Sequence, residues 1–384
     1  MTERARVAEG DVLRGKYRIE RILGSGGMGG VYAASPLAGG TPVAIKLLSV
    51  SDPTARERIA KRFAREARAV SALRCPHIVT VLDAGTDGDR PWLAMELLTG
   101  EDLGQRLRRD GRLLAPDASH MAAQILVALG RAHEAGIVHR DLKPDNVFIV
   151  PHDGDPMFCK LLDFGMSKLL PTEGQTLALA LTKKGMAVGT PFYMAPEQAR
   201  AADDVDGRVD IWALGAILFE CLTGRPPFIG GTQEQVLINI CTTDAPDVRA
   251  LRPEVPSPLA KLIKRALSRD RNDRFLSAWQ MLEALTLAFP KEGRLLPTSM
   301  RTAVDLVSPV SLPPSVPISS KTLPVTPLPE ASGPFVAVQS GPYPAVSPPR
   351  RRGSSALRVV VLALGAVVLG IGVTICVLVL LRGR

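Results

Sequence analysis

The chain has 384 residues, more than one small core can use, so more than one structural unit is expected. Apolar residues make up 46% and charged residues 22%, the ordinary balance of a globular protein. The net charge of +9 is spread along the chain without an aromatic-interleaved basic stripe, which argues against a nucleic-acid partner. The five cysteines form no CxxC or Cys/His cluster, so neither a disulfide framework nor a zinc site is indicated.

The N-terminus, "MTERARVAEGD", is charged and does not read as a signal peptide. Residues 1–16 are a lead into a mixed region that runs to 289. That region opens with strand-like segments, "KYRIERIL", "GVYAA" and "TPVAIKLLSV", and becomes mainly helical after about residue 117. Strands first and helices later predict an α+β protein of two lobes with different cores.

The stretch "LGSGGMGGVY" holds Leu23, Gly24, Ser25, Gly26, Gly27, Met28, Gly29, Gly30 and Val31. Glycines remove steric bulk and let backbone N–H groups approach phosphates. No GK[ST] follows, as a Walker loop would need, and no helix follows, as a dinucleotide fold would need. A strand, a turn and a second strand follow instead, so the glycines are expected at the turn of a hairpin over a nucleotide.

In "VAIKL", Val43, Ile45 and Leu47 point one way and Ala44 and Lys46 the other. The small Ala44 leaves room for a flat ring beside Lys46. The segment "RERIAKRFAREARAVSALR" places Ile59, Phe63, Ala67, Val70 and Leu73 on one helical stripe. Glu66 falls inside that stripe, where a carboxylate needs a partner, and Lys46 is the candidate.

"HRDLKPDN" (139–146) is followed 17 residues after Asn146 by "DFG" (163–165), and then by "APE" (195–197). With the glycine loop and "VAIK" upstream, this ordered set resembles a protein kinase of the eukaryotic type, in its bacterial membrane-anchored serine/threonine branch. The resemblance covers about residues 17–289. It implies the two-lobed protein kinase fold, with bounds of 17–95 for a small β-rich lobe and 103–289 for a large helical one. It also implies ATP and Mg²⁺ (with Mn²⁺ as an alternative ion), and protein substrates bearing Ser or Thr.

By that resemblance Asp141 accepts or orients the proton of the attacking hydroxyl, and Lys143 steadies charge on the transferred group. Asn146 and Asp163 supply oxygen ligands for the metal. Lys46 meets the α- and β-phosphates and is fixed by Glu66. Backbone groups of Glu96 and Leu98 hold the adenine edge, Met95 sits behind the ring, and Asp102 reaches the ribose. Val70, Val81, His139 and Phe164 form a stacked apolar spine.

Lys143 and Thr190 match the serine/threonine branch, and Thr190 is expected to support Asp141 and Lys143 structurally, with regulation as its alternative role. Arg140 implies control by a phosphothreonine in the activation segment, with Thr182 the first choice and Thr176 another. Asp210 is expected to be structural, and Arg274 to pair with Glu197. Two departures stand out: Gly30 in place of a bulkier residue, and His77 where asparagine is commoner. A non-catalytic, membrane-tethered ATP-binding scaffold would ordinarily lack Lys46, Asp141, Asn146 or Asp163, and all four are present.

The remainder is different in character. Residues 290–349 hold 14 prolines in 60 positions, and a disordered linker is expected over 290–356. "RRR" (350–352) precedes an uncharged run over 359–381, which as a helix would be about 35 Å long, enough for a bilayer core. A membrane span over 357–381 is therefore expected, with a 382–384 tail outside the cell. Arg350, Arg351, Arg352 and Arg358 at its inner end fit a cytoplasmic kinase region. Ala366, Gly370 and Thr374 share one face, which suggests a homodimer.

Overall fold

The computed structural model describes residues 7–26, 29–48, 56–88, 90–152, 154–164, 191–202 and 204–288. The small lobe is an antiparallel sheet of six strands: β1 (Val12–Leu13), β2 (Tyr17–Gly26), β3 (Gly29–Pro36), β4 (Val43–Leu48), β5 (Val81–Asp87) and β6 (Arg90–Glu96). Their order is β1-β2-β3-β4-β6-β5. Helix α1 (Arg56–Ser71) packs on its inner face.

The alternation read in "VAIKL" separates two cores. Val43, Ile45 and Leu47 join Ile19, Tyr32, Trp92 and Ala94 in a cluster of the small lobe alone. Ala44 faces the other way, with Leu23, Ala33, Leu93 and Met95, into the core shared with α1 and the large lobe. Phe63, Ala67 and Val70 of α1 are buried in that second core, as the helical stripe predicts.

The predicted glycine hairpin is present. β2 and β3 pair from Tyr17↔Pro36 to Gly26↔Gly29. Gly29 has φ +135°, and a Cβ there would stand 1.9 Å from the carbonyl oxygen of Leu47, so only glycine lets β3 start this close to β4. Gly30 is explained by space: the ring of Tyr32 lies where a side chain at 30 would go.

The large lobe contains α2 (Leu103–Asp110), α3 (Ala115–Glu134), and a three-stranded sheet of β7 (Glu101–Asp102), β8 (Val147–Ile149) and β9 (Cys159–Leu161). Further helices are α4 (Pro196–Ala199), α5 (Arg208–Thr223), α6 (Gln233–Thr242), α7 (Val248–Leu251), α8 (Ser257–Ala266) and α9 (Ala278–Ala288). Residues 209–222 of α5 are all buried, the pattern of a helix that forms the centre of a lobe. α5 packs against α3 and α8, and α9 against α3.

The lobes meet behind the cleft through backbone. Ile78 bridges Leu161 in parallel, Val79 N–H donates to Leu161 O at 3.0 Å, and Leu161 N–H donates to His77 O at 2.8 Å. The connection between α1 and β5 therefore runs alongside β9. Among the described residues no helix is long and apolar enough to cross a membrane. The expected linker and span lie outside the described residues, as do Gly27, Met28, Thr176, Thr182 and Thr190.

Candidate active site

The loop over 139–146 is built from a buried anchor upward. Asp210, near the start of α5, is 1% exposed. Its carboxylate accepts from the backbone N–H groups of His139 and Arg140, each at 2.8 Å, and lies 2.8 Å from His133 Nε2. Arg140 has φ +66°, a conformation that costs roughly 1 kcal/mol or more in a non-glycine residue and persists only when its surroundings impose it. The two bonds from Asp210 impose it here.

His139 is fully buried and its ring lies 4.8 Å from that of Phe164. Nε2 donates to Leu162 O at 2.8 Å, because a carbonyl can only accept. Its role is structural, as expected. Phe164, Val70 and Val81 line one small internal cavity with Ala67, Val79, Leu93, Met95 and Asp163, so the spine residues do converge.

On the solvent side of this anchor, Lys143 Nζ donates to Asp141 Oδ2 at 3.0 Å, and Asn146 Nδ2 donates to Asp141 O at 2.6 Å. Burial works against the Lys143 ammonium, but Asp141, Asp145 and Asp163 outweigh it and its pKa rises. Asn146 closes a tight turn, Pro144–Asn146, and β8 follows at once. Val147↔Leu161 pairing and the bond from Leu162 N–H to Asn146 O at 2.9 Å then bring Asn146 beside the segment that carries Asp163. The two predicted metal ligands, distant in sequence, are thereby brought to neighbouring strand ends.

Asp163 also has positive φ, +62°. Its Oδ2 lies 2.6 Å from Lys46 Nζ. Burial would raise its pKa, but the Lys46 ammonium, with His139 and Lys143 behind it, holds the carboxyl below its ordinary range. Asp163 is expected at the metal and Lys46 beside Glu66, and the direct Lys46–Asp163 pair adds to both. Glu66 sits half-buried on α1 between the buried Phe63, Ala67 and Val70.

Leu23, Ala44 and Met95 are buried, and Val31 packs against the same core. Gly24, Ser25 and Gly26 pair with Val31, Gly30 and Gly29 across the hairpin. Glu96 ends β6, and Leu98 follows in the connection between the lobes. Gly100 has φ +140°, and a Cβ there would lie 2.0 Å from Ile149 O, so the connection presses closely on β8.

Asp102 is 1% exposed and caps α2. Oδ1 accepts from Gln105 N–H at 2.7 Å, and the Gln105 side chain accepts from Asp102 N–H at 3.2 Å, a complete capping box. Burial, and then Asp145, push its pKa up to about 6. The expected contact of Asp102 to a ribose has a cap beside it, whose sequence signal is D-x-x-Q ahead of a helical pattern. His77, the other unusual residue, is fully buried: Nδ1 lies 2.8 Å from Cys159 O, and burial pushes its pKa down to about 4.

The predicted pair of Glu197 and Arg274 is bidentate, at 2.7 and 2.8 Å, with Arg274 fully buried. Tyr193 Oη donates to Glu220 at 2.5 Å, and burial pushes the Glu220 carboxyl up to about 7.

A curled sheet roofed by a glycine hairpin, a helical lobe, and a cleft lined by Lys46, Asp141, Asn146 and Asp163 define the protein kinase class of fold. The protein kinase domain family matches residues 17–285, and the chain belongs to that family. It is 38% identical over 302 residues to serine/threonine-protein kinase pkn3 of Myxococcus xanthus, covering 77% of this chain and 54% of that one. It is 35% identical over 347 residues to serine/threonine-protein kinase PknH of Mycobacterium bovis, covering 87% and 55%. The chain thus spans about half the length of these curated relatives. The crystal structure of the Mycobacterium tuberculosis PknI kinase domain superposes with a TM-score of 0.57 at 27% identity, over 74% of this chain and 100% of that one. Rad53 in complex with AMP-PNP gives 0.57 at 27%, over 70% and 64%.

Proposed function

We propose that this chain is a serine/threonine protein kinase that transfers the γ-phosphoryl group of ATP to Ser and Thr hydroxyls of proteins, its own activation segment included. The observation that carries the reading is the convergence of Asp141, Lys143, Asn146, Asp163 and Lys46 on one cleft, with Lys46 and Asp163 in direct contact.

Phosphoryl transfer needs positioning and charge stabilisation more than covalent help from the protein. Asp141 orients the substrate hydroxyl and takes its proton. Lys143, held against Asp141, places a positive charge beside the oxygens on which negative charge is redistributed. Lys46 binds the α- and β-phosphates. Glu96 and Leu98 present backbone groups to adenine, Met95 backs the ring, and the hairpin from Leu23 to Val31 covers the phosphates.

The donor set fits Mg²⁺, or Mn²⁺ in its place. Asn146 uses its NH₂ on Asp141 O, which leaves the amide oxygen as the end available to a cation, and Lys46 keeps Asp163 ionised. One carboxylate and one amide oxygen, completed by substrate phosphates and water, is the shell that small hard ion takes. The bound ion would neutralise charge on the phosphates.

The chain is also read as tethered to the cell membrane by residues 357–381, with its kinase domain in the cytoplasm, where ATP is. The uncharged run behind four arginines supports this. Self-association through Ala366, Gly370 and Thr374 would bring two kinase domains together, and phosphorylation of Thr182 would engage Arg140.

Two experiments test the reading. Full-length chain incubated with labelled Mg·ATP is expected to carry phosphothreonine or phosphoserine, and the Lys46→Met chain is not. Equal label in both would contradict kinase activity. In cell fractions the chain is expected to sediment with membranes and resist a high-salt wash, and the chain lacking 357–381 to become soluble. Retention on membranes without that segment would contradict the tether.

A further inference from the structure

The segment on which adenine would rest is tied at one oxygen to two other parts of the molecule. Glu96 is the last residue of β6, where the small lobe passes into the inter-lobe connection. Its backbone N–H donates to Thr80 O at 3.0 Å, which continues the sheet. Its side chain turns the other way in function: Oε1 accepts from Thr80 N–H at 2.6 Å and from Lys160 Nζ at 2.6 Å. Lys160 belongs to β9 in the large lobe. Three segments, the hinge, the α1–β5 connection and β9, therefore meet at Glu96 Oε1.

Where β9 leads gives this junction its consequence. Three residues after Lys160 comes Asp163, which contacts Lys46 and is placed to hold the metal. The strand is short, Cys159–Leu161, and the backbone bonds of 77–79 run along its edge. A change in the angle between hinge and β9 would move the adenine-binding backbone relative to Asp163 and to the phosphates. The side chains of Lys160 and Glu96 are 16% and 26% exposed, so solvent screens the pair less than it screens a surface ion pair.

We propose that the Glu96–Lys160 ion pair is a positioning clasp: Lys160, which would touch neither nucleotide nor metal, sets the hinge against β9 so that adenine and phosphate subsites are preformed at the right separation. The proposal rests on the nucleotide site assigned above. Pre-organisation acts on binding, because a site that must be assembled on ligand arrival binds more weakly by the fraction of time it is assembled. Loss of the clasp should appear in nucleotide affinity and in KM for ATP more than in kcat, since the groups at the reacting phosphate are unchanged.

The test compares full-length wild type, Lys160→Met, Lys160→Arg, Glu96→Gln and the Glu96→Gln/Lys160→Met double variant, measuring Kd for Mg·ADP and KM and kcat for ATP. Lys160→Met should weaken Mg·ADP binding about fivefold and raise KM similarly, with kcat within about twofold of wild type. Lys160→Arg, which keeps a cation at that place, should restore most of the affinity. Glu96→Gln should cost little further affinity in the Lys160→Met background, since a coupled pair is lost only once. Thermal melts on the same samples separate these effects from unfolding. Wild-type affinity in Lys160→Met, tighter binding, or fully additive losses would each overturn the clasp. Failure of wild-type protein to bind Mg·ADP would instead overturn the nucleotide site itself.

Discussion

The loop over 139–146 and the glycine hairpin are held in different ways. The loop is fixed from beneath by side chains of the large lobe: Asp210 on two consecutive N–H groups, His139 on Leu162 O, Asn146 on Asp141 O. Its strained residue, Arg140, lies between two such anchors. The hairpin is a ladder of backbone pairs ending at Gly26↔Gly29, and its inward face offers Leu23 and Val31 for packing. The part proposed to hold the reacting groups is over-determined by buried polar contacts. The part proposed to cover the nucleotide is built from strand pairing and glycine.

That contrast can be broken by substitution. The largest expected effect is on a buried ion pair of the large lobe. Glu197→Gln leaves the guanidinium of Arg274, fully buried, without its bidentate carboxylate. Breaking a buried pair costs about 3–5 kcal/mol, so Tm should fall by on the order of 10 °C in a scanning melt. A shift of a degree or two would mean the pair is not a stability anchor.

Asp210→Asn should come next. It weakens three bonds at once, two of them on the loop backbone, and should cost about 2–3 kcal/mol in urea unfolding while lowering kcat roughly tenfold. If kcat falls without loss of stability, Asp210 acts on chemistry directly and not through the loop.

Gly29→Ala sharpens the comparison from the other side. The new Cβ would strike Leu47 O, in a backbone conformation unfavourable to L residues. The hairpin can give way locally, so stability should fall by only about 1 kcal/mol while KM for ATP rises several-fold. A stability loss equal to that of Asp210→Asn would erase the distinction between the two regions.

A further effect lies in pH dependence. Burial raises the Glu220 carboxyl to about 7, against 4.5 for an ordinary glutamate. The folded state then binds the proton more tightly than the unfolded state. The stability this contributes is complete below about pH 4.5 and is lost as pH rises through about 7. Glu220→Gln should remove that decline, so that the urea midpoint of the variant changes less between pH 5 and pH 8 than that of wild type. Parallel curves would show that Glu220 titrates alike in both states.

Much of this was legible in the sequence because it is local. The hairpin, the face alternation around Lys46 and the α1 stripe each follow from a few consecutive residues. The structural place of Asp210 and the Glu197–Arg274 pair follow from the family resemblance, while the bonds from the backbone of His139 and Arg140 to Asp210 show only in the structure. What escaped depends on segments meeting in space. The Lys46–Asp163 contact, the Glu96–Lys160 pair and the burial of His77 against Cys159 O all join the small lobe or its connection to β9 or to the residues just after it. No short-range pattern encodes such a meeting. Gly30 was noted as a departure, but its reason is the ring of Tyr32, two residues on and folded back over the strand. The capping box of Asp102 and Gln105 is a local signal, masked by the ribose role that the resemblance implies for the same residue.

The central claim is that the anchored loop presents Asp141 for chemistry and not for nucleotide binding. The most direct measurement is phosphate transfer to a Ser/Thr peptide alongside Mg·ADP affinity, on the same preparations of wild type and Asp141→Asn. Removing a positioned proton acceptor lowers turnover by about 10²–10⁴-fold. The account predicts a kcat loss of that order with Mg·ADP affinity within about threefold of wild type. Turnover within tenfold of wild type, or a loss of affinity that matches the loss of turnover, would contradict it.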